Sequence, residues 1–367
     1  MVTTVPVPRR AAADVGRVAI VIDADVYGGA EAYIGALLRS LPPAAAALVA
    51  TEPVPQPLVE LVADTGLRLH RLPKVRSKRD VAGAVAVVRA LRSLRADVIH
   101  VNMATATNNR YALAAAIAVR VPTVVTVHSL AEVRSPGQRR LLRRLLSRVA
   151  AATAPSHAIA AQLRDLGAPA AAVRVVAAGV EARPSRSWDG DRATVRVGVL
   201  GRLSREKGVD VLVEAVRLLG TEGPVVEVAV AGDGPERAAL ERQAAGLPIR
   251  FVGFVDPSSF LDEIDLFCLP SRLEGMPVAL LEAMMAGLPC VATAVGDVGL
   301  LEPAVVTVAP EDPAALCRAL AALAADPAER RRLGEAARAL VLDRYEVSRM
   351  VEEVLGLYAA AVADRRR

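Results

Sequence analysis

Aromatic residues are scarce in this chain. Phe, Trp and Tyr together make up 3% of 367 residues, with a single Trp. So few rings argue against a ligand gripped by stacking and for one held by polar and ionic contacts. Cysteine is as rare. Cys268, Cys290 and Cys317 form an odd set without metal-ligand spacing. Cys268 and Cys290 lie in apolar runs and read as buried free thiols, which fits a reducing cytoplasm. No apolar run approaches the ~20 residues that a membrane span needs. Arg9 and Arg10 are followed by no apolar stretch long enough for a signal peptide. Gly-x-x-x-x-Gly-Lys-Ser/Thr, Gly-x-Ser-x-Gly and His-Glu-x-x-His are all missing, which argues against a P-loop enzyme, an α/β-hydrolase and a zincin. Lysine is limited to three residues amid an Ala, Val, Leu and Arg bias that reads as codon usage.

What is present is a chain 53% hydrophobic, folded and long enough for two domains. A net charge of +5 hides an asymmetry. Residues 1–190 carry 25 Lys and Arg against 13 Asp and Glu, and residues 191–367 carry 20 against 27. The basic half could attract an anionic membrane surface, nucleic acid or an acidic substrate, or be a solvated surface and nothing more.

Short apolar runs alternate with helical patterns. Val18–Ile22, Asp97–Val101, Thr123–Val127 and Val173–Val176 read as buried strands. Helices are expected at Ala30–Arg39, Asp80–Leu94, Arg110–Val119 and Gly137–Ala150. A second series has strands Val195–Leu200, Val225–Ala231, Ile249–Val252, Leu266–Leu269 and Cys290–Thr293. Its helices are Val209–Leu219, Pro235–Ala245 and Pro277–Ala286. Such alternation implies parallel sheets covered on both faces. Glu181–Ala193 has no periodicity and reads as a linker. Residues 1–182 then form one doubly wound, Rossmann-like domain, 183–194 the linker and 195–345 a second such domain. The two are expected to face each other, with ligand crevices at the carboxyl ends of the strands. A helical tail over Glu335–Val362 is interrupted near Arg344, and its last part, 346–367, is expected to cross back to the first domain.

Several loops carry chemistry. Gly201-Arg202-Leu203-Ser204-Arg205-Glu206-Lys207-Gly208 joins a strand to a helix. Its two cations, Arg202 as a planar fork and Lys207 as a point charge, can converge on a diphosphate, or the loop is a basic surface turn. Gly232-Asp233-Gly234-Pro235 reads as a tight turn. Gly28-Gly29-Ala30-Glu31 places two glycines before a helix, where backbone amides can approach an anion. His128 ends a strand and could donate to a phosphate or a sugar hydroxyl, or be structural. Seven residues separate Glu274 from Glu282, one on a loop and one in the next helix, and the two can hold two hydroxyl-bearing parts of one ligand. Asp23-Ala24-Asp25 and Asp189-Gly190-Asp191 have a spacing seen with metal-bound phosphates, but one lies at a strand end and the other in the linker. No metal is expected.

In order and spacing these motifs, with Gly287-Leu288-Pro289 and Asp326-Pro327…Arg332-Leu333-Gly334…Ala337-Arg338, resemble the retaining glycosyltransferase family 4 of the GT-B fold. The resemblance implies transfer of a hexosyl group from a nucleotide-diphosphate sugar, on its strength a UDP-sugar, to a hydroxyl on a small molecule, lipid or glycan. It implies no cofactor, no metal and no nucleic-acid partner. Arg202 and Lys207 would grip the diphosphate, Glu282 the ribose and Glu274 the transferred sugar. His128 would approach sugar and phosphate, with Gly28 and Gly29 nearby. The segment Gly275, Met276, Pro277 and Val278, where a helix starts, would turn amides toward the donor. His128, Arg202, Lys207 and Glu274 are the expected catalytic set. One departure is the loop Ala294-Val295-Gly296-Asp297-Val298-Gly299-Leu300-Leu301-Glu302-Pro303, where the family often has Gly-Gly-x-x-Glu. A sugar-nucleotide epimerase of the same fold and a non-catalytic nucleotide-sugar-binding protein are the competing readings. The basic amphipathic stretch Gly137–Ser147, continued to Arg148, also has two readings. Arg139–Arg148 could lie on anionic lipid as a peripheral contact at the inner face of the membrane. It could equally be a domain helix with Leu141, Leu142, Leu145 and Leu146 in the core.

Overall fold

The computed structural model describes residues 15–24, 28–72, 74–75, 80–184, 194–220 and 226–366. The chain divides into two compact units. Among the described residues, unit 1 takes the chain up to Gly179 together with the last helix from Val347, and unit 2 is Val180–Glu346. The unit boundary thus falls just before the linker read from the sequence, of which residues 185–193 lie outside the described part.

Unit 1 is built on seven parallel strands: β1 (Val18–Ile22), β2 (Ala46–Thr51), β3 (Arg68–Leu72), β4 (Val98–Thr105), β5 (Thr123–Ser129), β6 (Ala151–Ala154) and β7 (Val173–Val175), in the order β3-β2-β1-β4-β5-β6-β7. β1 and β2 are buried along their whole length, as expected of strands covered on both faces. The intervening helices are α1 (Gly29–Ser40), α2 (Gln56–Thr65), α3 (Val81–Ser93), α4 (Arg110–Val119), α5 (Pro136–Leu146) and α6 (His157–Asp165). The strand order reverses between β1 and β4, which marks the place where sheets of this kind bind ligands.

Unit 2 has six parallel strands, β8 (Val195–Leu200), β9 (Val226–Ala231), β10 (Ile249–Gly253), β11 (Leu266–Leu269), β12 (Cys290–Thr293) and β13 (Val306–Val308), ordered β10-β9-β8-β11-β12-β13. Its helices are α7 (Val209–Leu219), α8 (Arg237–Gln243), α9 (Pro257–Glu263), α10 (Val278–Met285), α11 (Pro313–Ala325) and α12 (Pro327–Arg344). Val209, Val211, Leu212, Ala215 and Val216 pack α7 into the core of unit 2. Asp312 and Asp326 cap α11 and α12 through the amides of Ala315 and Glu329, at 2.8 and 2.9 Å. The strand order reverses between β8 and β11.

The last helix, α13 (Val347–Arg366), is part of unit 1 and packs on α1, β4 and β5. Its Tyr358 is fully buried and meets an unusual polar stripe. His100 and Asn102 on β4, Thr126 and His128 on β5 and Thr153 on β6 lie on one face of the sheet, fixed by two-residue alternation and the pairing of Asn102 with Thr126. His100 is buried and held neutral, with burial driving its pKa down to about 3. One proton order satisfies the row. Tyr358 donates to His100 Nδ1 at 2.5 Å, His100 Nε2 to Thr126 Oγ1 at 2.8 Å and Thr126 to Thr153 Oγ1 at 2.5 Å. Thr153 in turn donates to the Val125 carbonyl at 3.5 Å.

Several elements were not foreseen. The stretch 46–72 holds β2, α2 and β3, and 306–325 holds β13 and α11. β6, α6 and α9 were also missed, and the helix expected over Gly137–Ala150 stops at Leu146. In that helix Leu142, Leu145 and Leu146 are buried in the unit 1 core while Leu141 is 39% exposed. Its apolar stripe therefore serves internal packing. Arg139, Arg140, Arg143 and Arg144 are exposed, with Arg139 paired to Asp165. Among the described residues no helix is long and apolar enough to cross a membrane.

Removing the Tyr358 hydroxyl leaves His100 Nδ1 buried without a partner. Tyr358→Phe should cost about 1–3 kcal/mol in urea unfolding. The His100 pKa is lowered on folding, so the unfolded chain binds more protons between about pH 6.5 and about 3. Its contribution is present above pH 6.5 and is lost as the pH falls below it, by up to about 1.4 kcal/mol per pH unit. His100→Gln should flatten that part of the stability profile.

Candidate functional site

The sheet of unit 2 brings two loops together. β8 and β11 are neighbours, so the segments leaving their carboxyl ends, 201–208 and 270–276, emerge side by side at the strand-order reversal. The first contains a 3-10 turn, Arg205–Lys207, closed by Gly208 in the left-handed region at φ 63°. A Cβ on Gly208 would stand 2.0 Å from the Pro270 carbonyl oxygen. The two loops therefore touch backbone to backbone, and only glycine permits it.

Across this contact Lys207 Nζ reaches Glu274 Oε1 at 2.7 Å, and Ser271 Oγ donates to the same oxygen at 2.7 Å. The Glu274 side chain is 10% exposed and that of Lys207 30%. Arg202 is exposed; its carbonyl accepts from Ser204 N at 3.0 Å, its charge helps to lower the pKa of Glu206, and its guanidinium makes no hydrogen bond or ion pair to a described residue. The loop thus presents Lys207 in contact with Glu274, and the exposed Arg202, at the mouth of the sheet. The altered loop lies on the other side of Glu274. Gly296, at φ 56°, would put a Cβ 2.3 Å from the Glu274 carbonyl oxygen, and Asp297 N donates to the Gly275 carbonyl at 2.9 Å. Asp297 is itself buried.

Gly275 leads into α10 through buried Met276 and Pro277, with Val278 as the first helical residue. The first-turn amides of a helix have no partner within it, so they are the group able to meet an anion here. Glu282 follows one turn on. Burial pushes its carboxyl up to about 7, with Arg183 pulling it down and Asp256 pushing it up by smaller amounts. Near neutral pH Glu282 is divided between its charged and neutral forms.

The turn at Gly232–Pro235 is a packing element. Gly232 N donates to the Gly253 carbonyl at 2.7 Å, Leu203 N donates to the Asp233 carbonyl at 2.9 Å, and a Cβ on Gly234 would stand 2.3 Å from the Leu203 carbonyl oxygen. It buttresses the Arg202 loop from behind.

In unit 1 His128 is the penultimate residue of β5. Its Nε2 lies 2.6 Å from Asn102 Oδ1, and its ring meets Tyr33 edge to face at 5.0 Å. Burial lowers its pKa to about 4, so the ring is neutral. With Asn102 presenting oxygen, Nε2 carries the proton and Nδ1 is left as an acceptor. The expected donor role for His128 is thereby changed, since its one N–H is already spent on Asn102. Gly28 N donates to Glu31 Oε2 at 2.9 Å, so the amide foreseen for an anion is occupied by a carboxylate of the same helix. A Cβ on Gly29 would meet nothing within 4 Å. Asp23 accepts from Thr51 Oγ1 at 2.6 Å and pairs with Lys74 at 3.3 Å. Asp25, Asp189 and Asp191 lie outside the described residues. Among the described residues no group of three His, Cys, Asp or Glu could hold a metal ion.

The sequence reading brought Lys207 and Glu274 to one place without foreseeing that they pair. It missed Ser271, Asn102, Tyr33 and Arg272. Asn102 was hidden within a strand, and two-residue alternation with His100 was the available signal.

Comparison with known proteins identifies the class. Residues 27–183 match the model described as Glycosyltransferase Family 4, and residues 194–326 that described as Glycosyl transferases group 1. The chain belongs to this family of glycosyltransferases, with the GT-B fold. The amylovoran biosynthesis glycosyltransferase AmsK of Erwinia amylovora is 33% identical over 147 residues, 36% of each chain. The putative teichuronic acid biosynthesis glycosyltransferase TuaC of Bacillus subtilis is 28% identical over 237 residues, 61% of this chain and 59% of that one. In both cases the match spans less than two thirds of the relative. The fold is shared with Anabaena Alr3699/HepE, solved in complex with UDP and glucose, at a TM-score of 0.78 and 18% identity over 92% of this chain and 98% of that one.

The two glycine sites should separate packing from ligand roles. Gly208→Ala should lower stability by at least about 1 kcal/mol in chemical denaturation, through both its φ and the Pro270 contact. Gly29→Ala should leave stability unchanged or raised, because the new methyl meets only open space on a helix.

Proposed function

We propose that this chain is a retaining glycosyltransferase that moves a hexosyl group from a nucleoside-diphosphate sugar, with UDP as the nucleotide, to a hydroxyl of a small molecule, lipid or glycan. The observation that carries the reading is the Lys207–Glu274 pair at the strand-order reversal of unit 2, with Arg202 exposed beside it. A cation and a carboxylate in contact suit a ligand with a diphosphate next to a polyol. UDP in the HepE structure supports the choice of nucleotide.

Each residue then has a task. Arg202 and Lys207 take the diphosphate, helped by the backbone at Gly275, Met276, Pro277 and Val278. Glu274 turns a carboxylate oxygen to the sugar hydroxyls. Glu282 accepts from the ribose hydroxyls, and the ionised form that prevails above about pH 7 is the stronger acceptor. His128, with its N–H held by Asn102, offers Nδ1 to a sugar hydroxyl. Gly28 and Gly29 stay in the proposal as close backbone neighbours of phosphate and acceptor.

In the reaction the bond from the anomeric carbon to the diphosphate oxygen breaks. The acceptor oxygen bonds to the same face of that carbon, and the acceptor proton passes to the departing diphosphate. Negative charge grows on the leaving group, so groups that bind it more tightly in the transition state than in the ground state lower the barrier. Two cations and a helix start supply that stabilisation, and the proposal needs neither a metal nor a cofactor.

The test is transfer at saturating donor, with a panel of sugar nucleotides first ranked by thermal shift, since donor binding raises stability by mass action. Arg202→Ala and Lys207→Ala should each cost about 2.7–4 kcal/mol, a loss of roughly 100- to 1,000-fold in turnover. Undiminished turnover in either variant overturns its role. An epimerised sugar formed without acceptor overturns transfer in favour of epimerisation.

A further inference from the structure

Two residues before Glu274 stands an arginine that the reaction does not use. Arg272 is 19% exposed and all five of its N–H groups are engaged. Its Nη1 and Nη2 fork onto Asp210 Oδ1 and Oδ2 at 2.7 Å each. Nη1 also donates to the Arg205 carbonyl at 2.8 Å. Nη2 reaches Glu311 Oε2 at 3.0 Å, and Nε donates to Glu311 Oε1. The Arg272 backbone amide adds a bond to the Glu206 carbonyl at 2.8 Å.

These partners sit on three segments besides the loop of Arg272 itself. Arg205 and Glu206 belong to the turn that carries Lys207, and Asp210 is in the first turn of α7. Arg272 precedes Glu274 on its own loop. Glu311, in the left-handed region at φ 61°, follows β13. One guanidinium thus fixes the Lys207 turn to the Glu274 loop, and both to the far edge strand of the sheet.

We infer that Arg272 is a positioning residue: by clamping Asp210, Arg205 and Glu311 it sets the separation of Lys207 and Glu274 and so the ability of unit 2 to hold a nucleoside diphosphate. The inference rests on the reading above that Lys207 binds that diphosphate. A lysine cannot replace the arginine, because three donors on one nitrogen cannot serve two carboxylates and a carbonyl in this planar arrangement. A purely structural strut would lower stability and leave the contribution of Lys207 intact. A positioning strut makes the two residues interdependent.

The experiment is a double-mutant cycle read by calorimetric titration of UDP, GDP and ADP into the full-length chain. Lys207→Ala is measured in the wild type, Arg272→Gln and Arg272→Lys backgrounds, with thermal unfolding followed for each variant. In the wild-type background Lys207→Ala should weaken binding of the preferred diphosphate by about tenfold or more. In the Arg272→Gln and Arg272→Lys backgrounds the same change should cost about twofold or less, because Lys207 is no longer held in place. An undiminished Lys207 effect in either background overturns the inference while leaving the donor site standing. Wild-type protein that binds none of the three, or binds them without regard to Lys207, overturns the donor reading and the inference with it. Should Arg272→Gln fail to fold, Asp210→Asn breaks the same fork and is read in the same way.

Discussion

An ion pair between two strand-end loops organises the candidate site of this protein. Lys207 and Glu274 are far apart in sequence and meet at 2.7 Å because β8 and β11 are adjacent in the sheet. That adjacency is a property of the doubly wound fold, which reverses its strand order at this point. The backbone contact at Gly208 and Pro270, the turn at Gly232–Pro235 behind Arg202 and the Gly296 loop against Glu274 all confine the pair. Arg272 ties the segments together with charged hydrogen bonds that a partly buried position shields from water. Lys207 is thereby kept in place, and under the proposed function an incoming diphosphate would share or displace its carboxylate partner.

Unit 1 solves a related problem with neutral groups. Its sheet carries a buried polar row in which burial keeps His100 and His128 uncharged. A neutral ring inside a core is tolerable when both nitrogens are satisfied, and His100 achieves this through Tyr358 and Thr126. The same row attaches α13 to unit 1 and reaches the edge where His128 sits, with its proton directed to Asn102. The chemistry available at the end of β5 is therefore that of an acceptor nitrogen.

Much of this was readable in the residues. Val18–Ile22, Val195–Leu200, Leu266–Leu269 and Cys290–Thr293 are short apolar runs, as buried parallel strands must be, and they appear where expected. β3 escaped notice because it is an edge strand, Arg-Leu-His-Arg-Leu, and has no reason to be apolar. α2 was masked by Pro53, Pro55 and Pro57, the last of which suits a helical first turn. β6 is four small residues that merge with the preceding helical pattern. For the candidate site, the loop and helix-start motifs singled out Lys207, Arg202, Glu274 and Glu282 one by one. The Lys207–Glu274 contact and the Arg272 clamp were not readable. Arg272 draws on Asp210 and Glu311, and only the order of strands brings those partners together.

The central claim is that Glu274 and a nucleoside diphosphate compete for Lys207. The direct measurement is the dissociation constant of UDP, with GDP and ADP as comparisons, for the wild type and for Glu274→Gln. Glutamine keeps the shape and the Ser271 contact while removing the charge that neutralises Lys207 and repels the ligand. The account predicts that Glu274→Gln binds the diphosphate at least as tightly as the wild type while transferring sugar poorly. Weaker diphosphate binding by Glu274→Gln, in a variant that unfolds at the wild-type temperature, would contradict it.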